Sequence, residues 1–265
     1  MTEPAKPLPP PEAPAEPEGD VKASFFEHLK ELRKRLLRAV LGIAVGMCAV
    51  GFFSERLFRW VMLPVLRSLP QNQQQLHYTS YIEPFMVYLK VALYGGAFAA
   101  APYVLWQVWL FIAPGLYKRE RRVVVPFLAF GTLLFYGGAA FCYFLVMPVA
   151  FPALAAIAGD DMRPILTMTE QLSLVLAMLL GFGIVFEVPV IIAFLSMIGL
   201  VSADFLSKYR RHAIIANVVL AAIITPTGDP FNLALMAIPM VLFYEIGIIL
   251  ARILGKKKPA EPAAS

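Results

Sequence analysis

The stretch HLKELRKRLLR, His28 to Arg38, runs without a break into the charge-free segment AVLGIAVGMCAVGFF, Ala39 to Phe53. Five of its eleven residues are Lys or Arg, and only Glu31 is acidic. On a helix, Leu29, Leu32 and Leu36 share one face, while Glu27, Glu31, Arg35 and Arg38 lie along another. This is an amphipathic, basic lead-in to a membrane helix. Positive flanks of this kind hold their end of a span on the cytoplasmic side. Glu31 is the anomaly within it.

The rest of the chain agrees with a polytopic membrane protein. Of its 265 residues 59% are hydrophobic and 15% charged, and the mean hydropathy is +0.70. Soluble domains use nearer half apolar and a quarter charged residues. The net charge of +5 sits at the ends of apolar segments, where topology needs it, so no nucleic-acid partner is expected. Cys48 and Cys142 each lie inside an apolar run and read as inert thiols. His28, His77 and His212 are scattered, without ligand spacing. No nucleophile with its base, phosphate loop or metal cluster is present, so neither an enzyme nor a cofactor is expected.

Residues 1 to 22 are rich in Pro, Ala and Glu and read as a disordered tail. They contain no apolar h-region of a cleaved signal. Residues 23 to 254 then form a transmembrane domain, and 255 to 265 a basic, then polar, disordered end. Ala39 to Phe53, extended by Leu36 and Leu37, is the first span. Glu55 to Ile82 mixes Leu57, Phe58 and Trp60 with QNQQQ, giving an extra-membrane segment with a short interfacial helix before Pro64. Val91 to Tyr117 is free of charge for 27 residues, longer than a core of ~30 Å requires at ~1.5 Å per residue. Pro102 and Pro114 are the places to kink it.

A third span is expected from Val123 to about Pro148, and a fourth from Gln171 to Leu200, with Ser202 as a helix N-cap. The last two spans read as short, Ala213 to Thr225 and Phe231 to Tyr244, joined by the tight turn TPTGDP. In this six-span arrangement the inside flanks, at 30–38, 118–122, 208–211 and 252–258, carry 16 Lys or Arg. The outside loops carry four: Arg56, Arg59, Arg67 and Arg163. Such a bias places both termini inside.

Three carboxylates stand out. Glu31 has the simple reading of an i, i+4 pair with Arg35, and Glu120, alone among Lys118, Arg119, Arg121 and Arg122, that of charge relief. Both fall on one side of the membrane, however, and two such acceptors can take guanidinium groups in bidentate geometry. Glu187, in FGIVFEVPVII, lies mid-span, at a cost of about 2.5–3.5 kcal/mol. Either it faces a cavity or functional path, or it bonds another helix. Glu245 is expected to snorkel or to pair with Arg252, and Asp229 is equally readable as a turn former. Trp106, Trp109, Tyr103 and Tyr117 read as interface or packing aromatics.

The motifs HLKELRKRLL (28–37), YVLWQVWLFIAPGLYKRERR (103–122), GFGIVFEVPV (181–190), TPTGDPF (225–231) and IPMVLFYEIG (238–247) together resemble the TatC family, the multispanning receptor subunit of the twin-arginine protein translocase. They occur in family order and cover the chain from Phe25 to Arg252. The resemblance implies an all-α protein of six transmembrane helices in a cupped wall, with short fifth and sixth helices, in the bacterial cytoplasmic (inner) membrane. It implies that Glu31, Arg33 and Arg35, with Phe111, Pro114, Leu116 and Glu120, bind the signal peptide, and it marks Pro64, Glu187 and Asp229. The turn TPTGDPFNL departs from a shorter family form and puts Leu233 where a polar residue is often found.

The function so implied is recognition of twin-arginine signal peptides and export of folded proteins, driven by the proton-motive force. Its partners would be TatA-like and TatB-like single-span subunits, with self-association. A proton-coupled transporter using Glu187 is the alternative, and a membrane scaffold without peptide specificity is a third class.

Overall fold

The computed structural model describes residues 18–69, 75–112, 121–157, 165–224 and 230–255. The described residues are almost entirely helical. His77 and Thr167 form an isolated bridge, in which His77 N–H donates to Leu166 O at 2.9 Å and Met168 N–H to His77 O at 2.9 Å.

The basic lead-in and the first apolar run form one helix, α1 (Glu18–Gly51). It begins four residues before the end expected for the tail, and residues 1–17 lie outside the described residues. After Phe52 and Phe53 the chain bends by 92° into two short helices, α2 (Ser54–Val61) and α3 (Leu63–Arg67). Pro64 sits in the first turn of α3, where its missing N–H has no intrahelical partner to lose. A short helix before Pro64 is therefore present, followed by a further turn.

The second long helix, α4 (Glu83–Ile112), starts eight residues before the charge-free run at Val91. Lys90 does not end it because its ammonium is satisfied by Ser173 Oγ at 3.1 Å. Glu83 at its start accepts from Thr79 N–H at 2.7 Å, Thr79 Oγ1 at 3.0 Å and Thr169 N–H at 3.1 Å. Pro102 lies inside α4, and Pro114 is outside the described residues.

The helix of the third span does not end at Pro148. Helix α5 (Arg121–Phe141) passes through a π-helical segment, Cys142–Val146, into α6 (Met147–Ile157). Pro148 has no N–H to return to the carbonyl four residues back. The chain widens its turn just before it, with Met147 N–H bonding Cys142 O, and stays helical.

Helix α7 (Met168–Met197) is the most buried and packs against α4, α5, the π segment and α10 (Pro230–Leu254). Phe182, Phe194 and Leu172 on α7, with Met62, Met147 and Ile248, are the largest fully buried side chains. Ser202 caps α8 (Ala203–Lys208) as expected, accepting from Phe205 N–H at 3.2 Å. Helix α9 (Arg210–Ile224) has 15 residues, about 22 Å, and is short as read.

The sixth helix is not short: α10 has 25 residues and continues through Glu245 to Leu254. Its carboxylate pairs with Arg210 of α9 at 2.8 Å rather than with Arg252, so the charge that closed the reading at Tyr244 does not close the helix. Four described helical runs are long and apolar enough to cross a membrane, or five if α1 with the bent α2 and α3 counts as one. Their outer faces expose Leu41, Val45, Leu133, Phe144, Leu242 and Ile253, as helices facing lipid do.

Candidate functional site

Arg35 of the basic lead-in is hydrogen-bonded to the body of the protein. Arg35 donates from Nη2 to Glu31 Oε1 at 3.1 Å, one helical turn back, and from Nη1 to Gln107 Oε1 on α4 at 3.4 Å. Gln107 is 5% exposed, so its amide oxygen depends on that donor. The guanidinium fork alone among cationic side chains is planar and wide enough to serve two acceptors at once. Glu31 keeps about a quarter of its side chain exposed, and its second oxygen has no described hydrogen bond.

The i, i+4 pair anticipated for Glu31 is thus present, and it holds the carboxylate at a defined place on the surface of the α1–α4 junction. Arg33 is exposed. The leucine face of the lead-in is open too: Leu29, Leu32 and Leu36 are all exposed, while the Glu31–Arg35 face turns to the protein. In a soluble helix that arrangement would be inverted.

Phe111 is half-buried one turn beyond Gln107 and has contacts of its own. Pro114, Leu116 and Glu120 lie outside the described residues, as does Asp229. The structure therefore joins Glu31 with Arg35 and leaves the spacing of Glu31 and Glu120 undescribed. Gln107 was missed by a reading that searched for charges. The available signal was an amide inside a charge-free run of 27 residues.

The α1–α4 junction is set by glycines. A Cβ on Gly46 would lie 2.5 Å from Gly96 O, and one on Gly42 would lie 2.6 Å from the Tyr103 ring. The backbones touch at Gly46 and Gly96, as small residues permit in membrane helix pairs. This close approach keeps Arg35, three turns earlier on α1, within reach of Gln107.

A second polar element is buried between α5 and α7. Glu187 is 5% exposed and its Oε1 has no hydrogen-bond partner among the described residues. Opposite it is Gly131, where a Cβ would lie 2.8 Å from Glu187 Oε2. Along the same seam Gly183 meets the Phe135 ring, and Gly138 meets Phe182 O and the Phe186 ring. Large and small residues alternate across two antiparallel helices. Of the expected aromatics, Tyr103 and Trp106 are exposed, while Trp109 is buried edge-on against Phe194 at 4.5 Å. Pro64 is buried in α3. No group of His, Cys, Asp or Glu able to hold a metal occurs among the described residues.

Comparison with known proteins bears on this architecture directly. The family model described as Sec-independent protein translocase protein (TatC) matches residues 27–239. A curated relative of that name from Koribacter versatilis is 43% identical over 236 residues, 88% of this chain and 87% of its own. The Escherichia coli K12 protein is 39% identical over 238 residues, covering 89% and 92%. A crystal structure titled twin arginine translocase receptor TatC superposes with a TM-score of 0.78 at 34% identity, covering 86% of this chain and 99% of that one. With its helices in that arrangement and the family model matching most of its length, the chain belongs to the TatC family.

Proposed function

We propose that this protein is the signal-peptide receptor of a twin-arginine translocase, seated in a bacterial inner membrane with both termini in the cytoplasm. It would work with TatA-like and TatB-like single-span subunits and with further copies of itself, moving folded precursors at the expense of the proton-motive force. The observation that carries this reading is the Glu31–Arg35–Gln107 cluster. A carboxylate in a strongly basic segment is held at the surface with one oxygen open, and the neighbouring leucine face is free for an apolar ligand. An incoming arginine finds an acceptor there, and Glu120, between α4 and α5 in the chain, supplies the second. Arg33, Phe111, Pro114 and Leu116 complete the surface, and Pro64, Glu187 and Asp229 act away from it.

The test is crosslinking of the full protein to a twin-arginine signal peptide and to its paired-lysine counterpart. The arginine form is expected to crosslink more strongly. Replacing both Glu31 and Glu120 with Gln should lower that yield about tenfold or more, since each charge-assisted bond contributes roughly 1.5–3 kcal/mol. Undiminished crosslinking in the double variant removes the two carboxylates from the site.

One observation favours a second reading. The buried, unpartnered Oε1 of Glu187 suits a proton carrier, and the protein would then be a proton-coupled transporter. That reading requires proton flux through the purified protein in liposomes, abolished by Glu187→Gln; a receptor alone shows none.

A further inference from the structure

At the end of the molecule remote from the basic lead-in, the 92° bend lays α2 across the mouth of an apolar cavity of about 790 Å³. Its walls come from α1, α4, α5 and α7, and include Val50, Val91, Phe98, Ala139 and Leu179, with Leu57 and Trp60 contributed by α2. The polar groups of its tyrosines are already used. Tyr136 donates to Phe98 O at 2.8 Å, and Tyr143 donates to Trp60 O. The charged residue of the lining is Arg56, exposed on α2 and without a described ion pair, whereas Arg59 beside it is held by Glu55.

A helix lying at right angles to the spans, carrying Arg56, Arg59 and an exposed Trp60, rests at the headgroup level of a bilayer. The cavity beneath it then opens at acyl-chain depth. Its size falls within the range of small-molecule and cofactor pockets, about 300–1,000 Å³. Left empty, its walls would forgo their dispersion contacts.

We propose that this cavity is a phospholipid site, in which one acyl chain fills the space under α2 and an anionic headgroup rests on Arg56. The site is separate from the peptide-binding surface on α1 and stands whether or not that surface binds signal peptides.

Trp60 lines the cavity and reports its filling. The experiment reconstitutes the full-length protein in phosphatidylcholine vesicles with a minority of either phosphatidylglycerol or phosphatidylcholine carrying brominated chains. Trp60 quenching is read as the difference between the parent and a Trp60→Phe variant. Brominated phosphatidylglycerol is expected to quench at about fivefold lower mole fraction, the preference one surface cation confers. Arg56→Gln should abolish that preference, while Arg56→Lys and Arg59→Gln keep it, and Ala140→Phe, which narrows the cavity, should weaken quenching by both lipids. Equal quenching by the two lipids in the parent overturns the proposal. So does a preference that survives Arg56→Gln, and so does a Trp60 shielded from both lipids, which would mean that a protein segment occupies the space.

Discussion

At Gly131 a methyl group would stand 2.8 Å from a carboxylate oxygen of Glu187, so the two positions are read as one unit. Gly131→Leu should destabilise the protein because the buried carboxylate cannot swing into lipid. Shortening its partner with Glu187→Ala should recover much of that loss. The double-mutant cycle, followed by thermal unfolding in detergent, is expected to show a coupling of about 0.5–3 kcal/mol. Additive single effects would deny the contact. Arg35 invites a similar comparison. Arg35→Ala strands the buried Gln107 oxygen and should cost about 1–3 kcal/mol. Arg35→Leu combined with Gln107→Leu removes donor and acceptor together and should cost less than either single change, again read by thermal unfolding. Glu31 and Glu187 were both visible in the sequence because a charge in an apolar or oppositely charged setting is conspicuous. Gln107, which shares Arg35 with Glu31, and Gly131, which faces Glu187, were not. Neither residue type announces a partner that lies 72 or 56 positions away in the chain.

Among the helices, the α1–α4 pair is the clearest case of backbone-limited packing. A side chain at Gly46 meets Gly96 O at 2.5 Å, and a carbonyl held in a helix cannot move aside as a flexible side chain can. Gly46→Leu should therefore part the two helices and break the Arg35–Gln107 bond, 3.4 Å long in the parent. A cysteine pair placed across the junction should crosslink more slowly in that variant. Helix existence was legible from apolar runs and basic flanks, but helix ends were not. Each misplaced end has a charge or proline that tertiary structure accommodates: Lys90 on Ser173, Glu245 on Arg210, and Pro148 after a π-helical turn. Counting apolar residues stops at such positions, whereas a helix stops only where its polar groups find no partner.

Across the whole molecule, Glu83 ties three parts together, holding the residues before α4 through Thr79 and the start of α7 through Thr169. The His77–Thr167 bridge lies beside it. Glu83→Ala leaves up to three donors unpaired and should cost about 1–3 kcal/mol or more. Hydrogen exchange at Thr169 should accelerate while that of the α5–α7 seam stays slow. The all-helical class and the family were readable from composition and motif order. The central place of α7 was less so, because a run apolar on every side shows burial without showing by what.

The order of elements along the chain adds a consequence of the glycine seam. Gly131 is synthesised before Glu187, so the helix that carries the recess for this carboxylate is made before α7. A charge that would cost about 2.5–3.5 kcal/mol exposed to lipid can be sheltered as it arrives. The glycine thereby serves the birth of the protein as well as its finished form.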